Sequence, residues 1–149
     1  WQGNAKNERD LHRKVPLQDI MSALLTHYRN QPVEFYSLQL GDGIEDREQY
    51  ADVLHDISSD IHSYDDTLAI IENLDLVISS CTSVLHASAI TGTKTFGLIP
   101  ISAYFTWVSP APEHKSIWYP DNLSIFRQTK IRSWQEPLKE MRKYLPPAE

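Results

Sequence analysis

Apolar positions along the chain fall into two patterns: recurrences every third or fourth residue, and short unbroken runs. Their alternation predicts helices and strands in turn. Ile20, Met21, Leu24, Leu25 and Tyr28 keep helical spacing after Pro16, a residue suited to a first helical turn, and Asn30 and Pro32 end the run. Residues 33–38 (VEFYSL) are rich in strand formers and lead to Gly41 and Gly43, a turn signal. Leu68, Ile71 and Leu74 share one face of a helix that Asp65, Asp66 and Thr67 are suited to cap. The run LVIS at residues 76–79 has the character of a strand buried on both faces. Val84, Leu85, Ala87, Ser88 and Ile90 then run helically to Gly92, a C-cap residue. Residues 95–99 form a further strand ended by Pro100, residues 123–126 a last strand, and residues 137–145 a last helix. Two weaker patterns suggest a helix over 48–57 and a short strand over 61–64, while residues 1–14 read as a polar loop.

Strands separated by helices imply parallel pairing through right-handed crossovers. The expected fold is therefore α/β, one domain over residues 1–149 built on a doubly wound, mostly parallel sheet. Ligands of such sheets bind beyond the carboxyl ends of the strands, so the loops there hold the candidate chemistry.

Composition narrows the partners. The formal charge of -6 and pI near 5.5 argue against a surface that neutralises nucleic-acid backbones. Cys81 is the only cysteine, so no internal disulfide can form, and a reducing, cytoplasmic setting is expected. No apolar run is long enough for a transmembrane segment, and residue 1 is Trp, which suggests a fragment of a longer chain.

The strongest local signal is the strand, loop and helix unit DLVISSCTSVLHASAITG at residues 75–92. A helix starting at Thr82 and Ser83 points free backbone N–H groups, and the positive end of its dipole, at the loop before it. Ser80, Thr82 and Ser83 are equally suited to capping that helix with no ligand present. His86 lies one turn in, where it could reach a phosphate, though a lone helical histidine can also be packed or solvated. The opening loop places Lys6, Arg9, Arg13 and Lys14 in nine residues of an acidic chain, with Asn4 and Asn7 beside them; a solvated terminus is the alternative. Trp107, Trp118 and Tyr119 could stack on a base or cover the sheet edge, and Arg127, at the end of the last strand, should project into the ligand crevice or form an ion pair. Cys81 stands where a helix dipole lowers thiol pKa values, but no base partner is visible. No Gly-x-Gly-x-x-Gly, Walker loop or paired metal-spaced histidines occur, so neither cofactor nor metal is expected.

Trp1-Gln2-Gly3-Asn4, Ser37-Leu38-Gln39, Asp65-Asp66-Thr67 followed by Asp75 to Ser79, Thr82 to His86, and Trp118-Tyr119-Pro120 leading to Phe126-Arg127-Gln128 occur in this order over nearly the whole chain. Together they resemble bacterial glycosyltransferase-like domains that follow tetratricopeptide repeats and are related to the family 9 heptosyltransferases. The resemblance implies the C-terminal, donor-binding half of a GT-B enzyme, which takes a nucleoside diphosphate sugar without a metal and works with an N-terminal GT-B domain. It implies that Thr82, Ser83 and His86 face the diphosphate, that Asn4, Lys6 and Arg9 lie near phosphate or the transferred sugar, and that Gln39 lies near the nucleotide. Cys81 stands where the family usually has Asp. Related domains begin with a strand just ahead of the position of Trp1, and no such strand is present in these residues. No catalytic base is visible, and a missing partner domain would leave the opening loop and residues 102–119 exposed, which would favour dimer contacts. Two other readings are a GT-B-like module without catalysis and an unrelated flavodoxin-like nucleotide-binding domain.

Overall fold

The structure is a computed structural model describing residues 1–4, 6, 10–107 and 114–148, without the side chains of residues 10 and 11. Along the chain lie α1 (Asp10–Arg13), α2 (Leu17–His27), β1 (Phe35–Ser37), β2 (Leu54–Asp56), α3 (Tyr64–Glu72), β3 (Val77–Ser80), α4 (Ser83–Thr91), β4 (Thr95–Ile99), β5 (Leu123–Arg127) and α5 (Gln135–Arg142). Every named strand pair is parallel, and α3 and α4 lie between β2, β3 and β4, so the fold is the α/β type that the sequence predicts.

The strands form two ladders rather than one sheet: β1 with β2, and β3-β4-β5 with β4 in the middle. β4 is buried at all five positions, because it is paired on both sides and covered on both faces. Alternate residues divide between the faces. Phe96, Leu98 and Phe126 pack with Leu17, Met21 and Leu24 of α2 and Leu138 and Met141 of α5. On the opposite face Ile99, Leu123 and Ile125 pack with Leu85 and Ala89 of α4, and Val77 packs with Ile71 of α3 and Ala87. Helices thus cover both faces, as in a doubly wound fold.

Several local expectations shift. Residues 48–57 are not one helix: a 3₁₀ segment, Ile44–Tyr50, precedes strand β2. The short strand expected over 61–64 is absent, and Ser63 in that stretch instead caps α3. Its hydroxyl accepts from the Asp66 N–H at 3.1 Å, and the Asp66 carboxylate accepts from the Ser63 N–H at 2.8 Å. This is a full capping box, so Asp66 closes the helix start from its third position instead of preceding it. The opening loop contains the short helix α1, and α5 begins at Gln135, two positions earlier than expected.

Candidate functional site

β1 and β3 face each other across a gap, and a cavity of about 730 Å³ occupies it. Its deep part is apolar, with Ile20, Met21 and Leu24 of α2 on one face and Leu74 and Val84 on the other. Its mouth lies at the carboxyl ends of the two strands and is polar, bordered by Asn4, Lys6, Gln39, Ser79, Thr82 and Ser83. The location agrees with the general rule for parallel sheets.

The N-terminus of α4 opens on this mouth. Thr82 sits at the N-cap with extended backbone, yet its side chain makes no capping hydrogen bond; its hydroxyl lies 3.2 Å from the Ser79 hydroxyl instead. Of the two roles open to Thr82 in the sequence, capping is therefore not the one it adopts. Ser83 is exposed and borders the cavity, and the Tyr64 hydroxyl donates to its carbonyl at 3.1 Å. The first turn of α4 carries no acidic residue, so nothing on the helix itself offsets the positive end of its dipole.

The opening loop closes the mouth from above. Asn4 is exposed and its Oδ1 accepts from the Lys6 N–H at 2.9 Å, a small turn that holds the lysine backbone at the rim. Gln39 reaches this loop from the end of β1: its Oε1 accepts from the Gln2 N–H at 3.3 Å, and its Nε2 donates to the Asp42 carbonyl at 3.0 Å. Gln39 thus borders the cavity while both ends of its amide shape the rim. Gly43 has φ +86, a left-handed conformation that strains any residue with a β-carbon, and its α-carbon lies close to the Gln2 side chain at the rim. Arg9, the other cationic candidate of this loop, lies outside the described residues.

Two expected site residues face elsewhere. His86 does not border the cavity. Successive helical residues turn by about 100°, so His86 projects roughly 200° round α4 from Val84. There its ring packs on Trp107 at 4.4 Å between centroids, and its Nδ1 lies 3.1 Å from the Tyr119 hydroxyl. Partial burial holds its pKa below the ordinary histidine value. Arg127 does not enter the cavity either, because its guanidinium donates to the Trp107 carbonyl. Burial of this side chain lowers its pKa.

Trp107 is 2% exposed and packed with Leu85, Ile99 and Ile125, so it cannot stack on a base, whereas Trp118 is exposed. Cys81 is buried, and burial raises its thiol pKa, the reverse of what a helix N-terminus alone would do. Burial and the direction of this shift both run against an activated nucleophile at this position. Among the described residues no cluster of three or more His, Cys, Asp or Glu side chains is placed to hold a metal ion, and no helix is long and apolar enough to cross a membrane.

Sequence reasoning overlooked Tyr64, Ser79 and the structural part of Arg13. Arg13 Nη1 donates to the Cys81 carbonyl at 3.3 Å and ties the opening loop to the end of β3. Ser79 had a readable signal, since residues at the carboxyl end of a parallel strand border the ligand crevice. Tyr64 had none, because it reaches Ser83 across 19 residues of chain. No family model, curated protein or solved structure matches this chain.

Proposed function

We propose that this chain is the donor-binding domain of a metal-independent GT-B glycosyltransferase and takes a nucleoside diphosphate sugar in the cavity mouth. The observation that carries the reading is the N-terminus of α4, which has no side-chain cap and opens on a large cavity that Lys6 also lines. Uncapped first-turn N–H groups, with a lysine lining the same cavity, suit a diphosphate. A volume near 730 Å³ lies within the usual range of roughly 300–1,000 Å³ for small-molecule sites.

Thr82 and Ser83 would hold the diphosphate, with Asn4 and Lys6 closing over it, and Gln39 would keep that rim in place. As the sugar departs, negative charge grows on the diphosphate, and the α4 dipole, two hydroxyls and a lysine would stabilise it without a metal ion. A catalytic base and an acceptor site would come from an N-terminal partner domain, so this chain alone would bind a donor and transfer nothing. Exposed Tyr104 and Phe105, which follow β4 at the same end of the sheet, suit contact with such a domain, with tetratricopeptide repeats of a parent chain, or with a second copy.

Calorimetric titration with UDP, GDP, ADP and CMP tests the reading. Micromolar binding of one of them supports it. Binding of none would favour a domain of this fold without catalysis, a reading that the buried Cys81 in place of the family's usual Asp also supports.

A further inference from the structure

We infer, on the basis of the donor reading, that the ring of Tyr64 is the platform on which the nucleobase of the donor stacks, directly beside its diphosphate. Trp107 is buried and Trp118 does not border the cavity, so neither of these aromatics can serve a ligand held there. Among the described residues, two exposed aromatic side chains border the cavity, Tyr36 and Tyr64. Tyr36 is already engaged: its ring packs on His55 at 5.1 Å between centroids, and its hydroxyl donates to the Glu34 carboxylate at 2.6 Å. Trp1 and Phe35 also border the cavity, but both pack against the core cluster around Met21 and Phe96.

Tyr64 is held at both ends while its ring surface stays open. It is the first residue of α3, directly after Ser63, whose capping box with Asp66 fixes the backbone there. At the far end of the side chain the hydroxyl donates to the Ser83 carbonyl at 3.1 Å. The hydroxyl thus has its partner, yet the residue is 51% exposed and lines the cavity, which leaves ring surface to a ligand. A ring fixed in this way loses little further freedom when a base lies on it, so the stacking is not offset by a cost of ordering.

The same hydrogen bond sets the ring against the phosphate seat. Ser83 is the first residue of α4, so the tip of the Tyr64 ring stands beside the first-turn N–H groups assigned to the diphosphate. In a nucleoside diphosphate a single ribose joins base to phosphate, and a diphosphate on those N–H groups brings its base to the neighbouring ring. Every nucleobase has a π face, so this contact adds affinity without choosing among bases.

The test uses the whole chain with whichever of UDP, GDP and ADP binds it most tightly. Nuclear Overhauser contacts should connect the non-exchangeable base protons to the ring protons of Tyr64. Contacts from ribose protons alone, or none at all, would overturn the inference, and this readout needs no variant to fold. Tyr64→Leu keeps an apolar side chain without a π face and should weaken binding by about tenfold or more, while Tyr64→Phe keeps the ring and should stay within about threefold of the parent. An equal loss in both variants would assign the effect to the hydroxyl bond with Ser83 and overturn the stacking role. If none of the three nucleotides binds the parent chain, the donor reading and the stacking role fall together. If one binds and Tyr64→Leu keeps its affinity, the stacking role falls alone.

Discussion

His86 and Tyr119 share a hydrogen bond on the side of α4 turned away from the cavity, with 3.1 Å between Nδ1 and the phenolic oxygen. The pair belongs to the packing around Trp107, and burial holds His86 below its ordinary pKa of 6.5. As pH falls, the unfolded chain therefore takes up this proton before the folded one does. The contribution of neutral His86 to stability is complete above 6.5, declines as pH falls from there toward the lower folded-state value, and then levels off. Denaturant unfolding followed across this window should show a slope that His86→Gln removes. An unchanged slope in His86→Gln would show that His86 does not titrate on unfolding.

The two helix starts that flank the cavity should respond differently to the loss of a hydroxyl. Ser63→Ala breaks the capping box of α3 and should cost about 0.5–2 kcal/mol of stability. Thr82→Ala removes no cap, and Ser79 keeps its bond to the Ser80 carbonyl, so stability should fall by less than about 1 kcal/mol. Thr82→Ala and Ser83→Ala should instead each weaken nucleoside diphosphate binding by about 1–3 kcal/mol, the usual cost of losing a hydrogen bond to a charged group. Chemical denaturation and calorimetry on the same three variants separate these outcomes.

Arg127→Ala should act on the fold and not on the ligand. Its guanidinium holds the carbonyl of Trp107, and the loss of that charged hydrogen bond should cost about 1.5–3 kcal/mol. Nucleotide affinity of the folded variant should stay within about twofold of the parent, because Arg127 does not border the cavity. A large loss of affinity at unchanged stability would return Arg127 to the ligand.

Nucleotide binding should survive EDTA. The adjacent acidic pair Asp65 and Asp66 is the nearest approach to a metal signature in the sequence. The Asp66 carboxylate is already engaged by the backbone N–H groups of His62 and Ser63, which hold its pKa below the usual carboxylate range. A carboxylate committed to a helix start is poorly placed to coordinate Mg²⁺. Titrations with EDTA and with added Mg²⁺ should give the same affinity, and binding that depends on Mg²⁺ would contradict this.

Much of the fold was legible because burial leaves a strong mark on some elements. β4 was read with its observed bounds from an unbroken apolar run, and α2 from five apolar residues at helical spacing. β2 was missed because it has three residues and only Leu54 is buried, which leaves neither a run nor an alternation to read. The start of α3 was misread although Ser63 and Asp66 stand at capping-box spacing, a signal present in the sequence. Thr82 and Ser83 followed from the expected helix start after a strand, and Gln39 only from the family resemblance; all three border the cavity. His86 and Arg127 face elsewhere because a position one helical turn in, or at a strand end, places a residue near the crevice without saying which way its side chain turns. For His86 the rotation along α4 was calculable, but the attraction of Trp107 and Tyr119 was not, since both come from a loop distant in sequence.

The most direct test of the central claim is the response of the Ser83 and Val84 backbone amides, read by NMR, to a nucleoside diphosphate and to the matching nucleoside. If the diphosphate sits on the N-terminus of α4, these two amides should shift with the diphosphate, saturate with the calorimetric affinity, and move far less with the nucleoside. Binding that leaves both amides unmoved, or moves them equally with the nucleoside, would contradict the account.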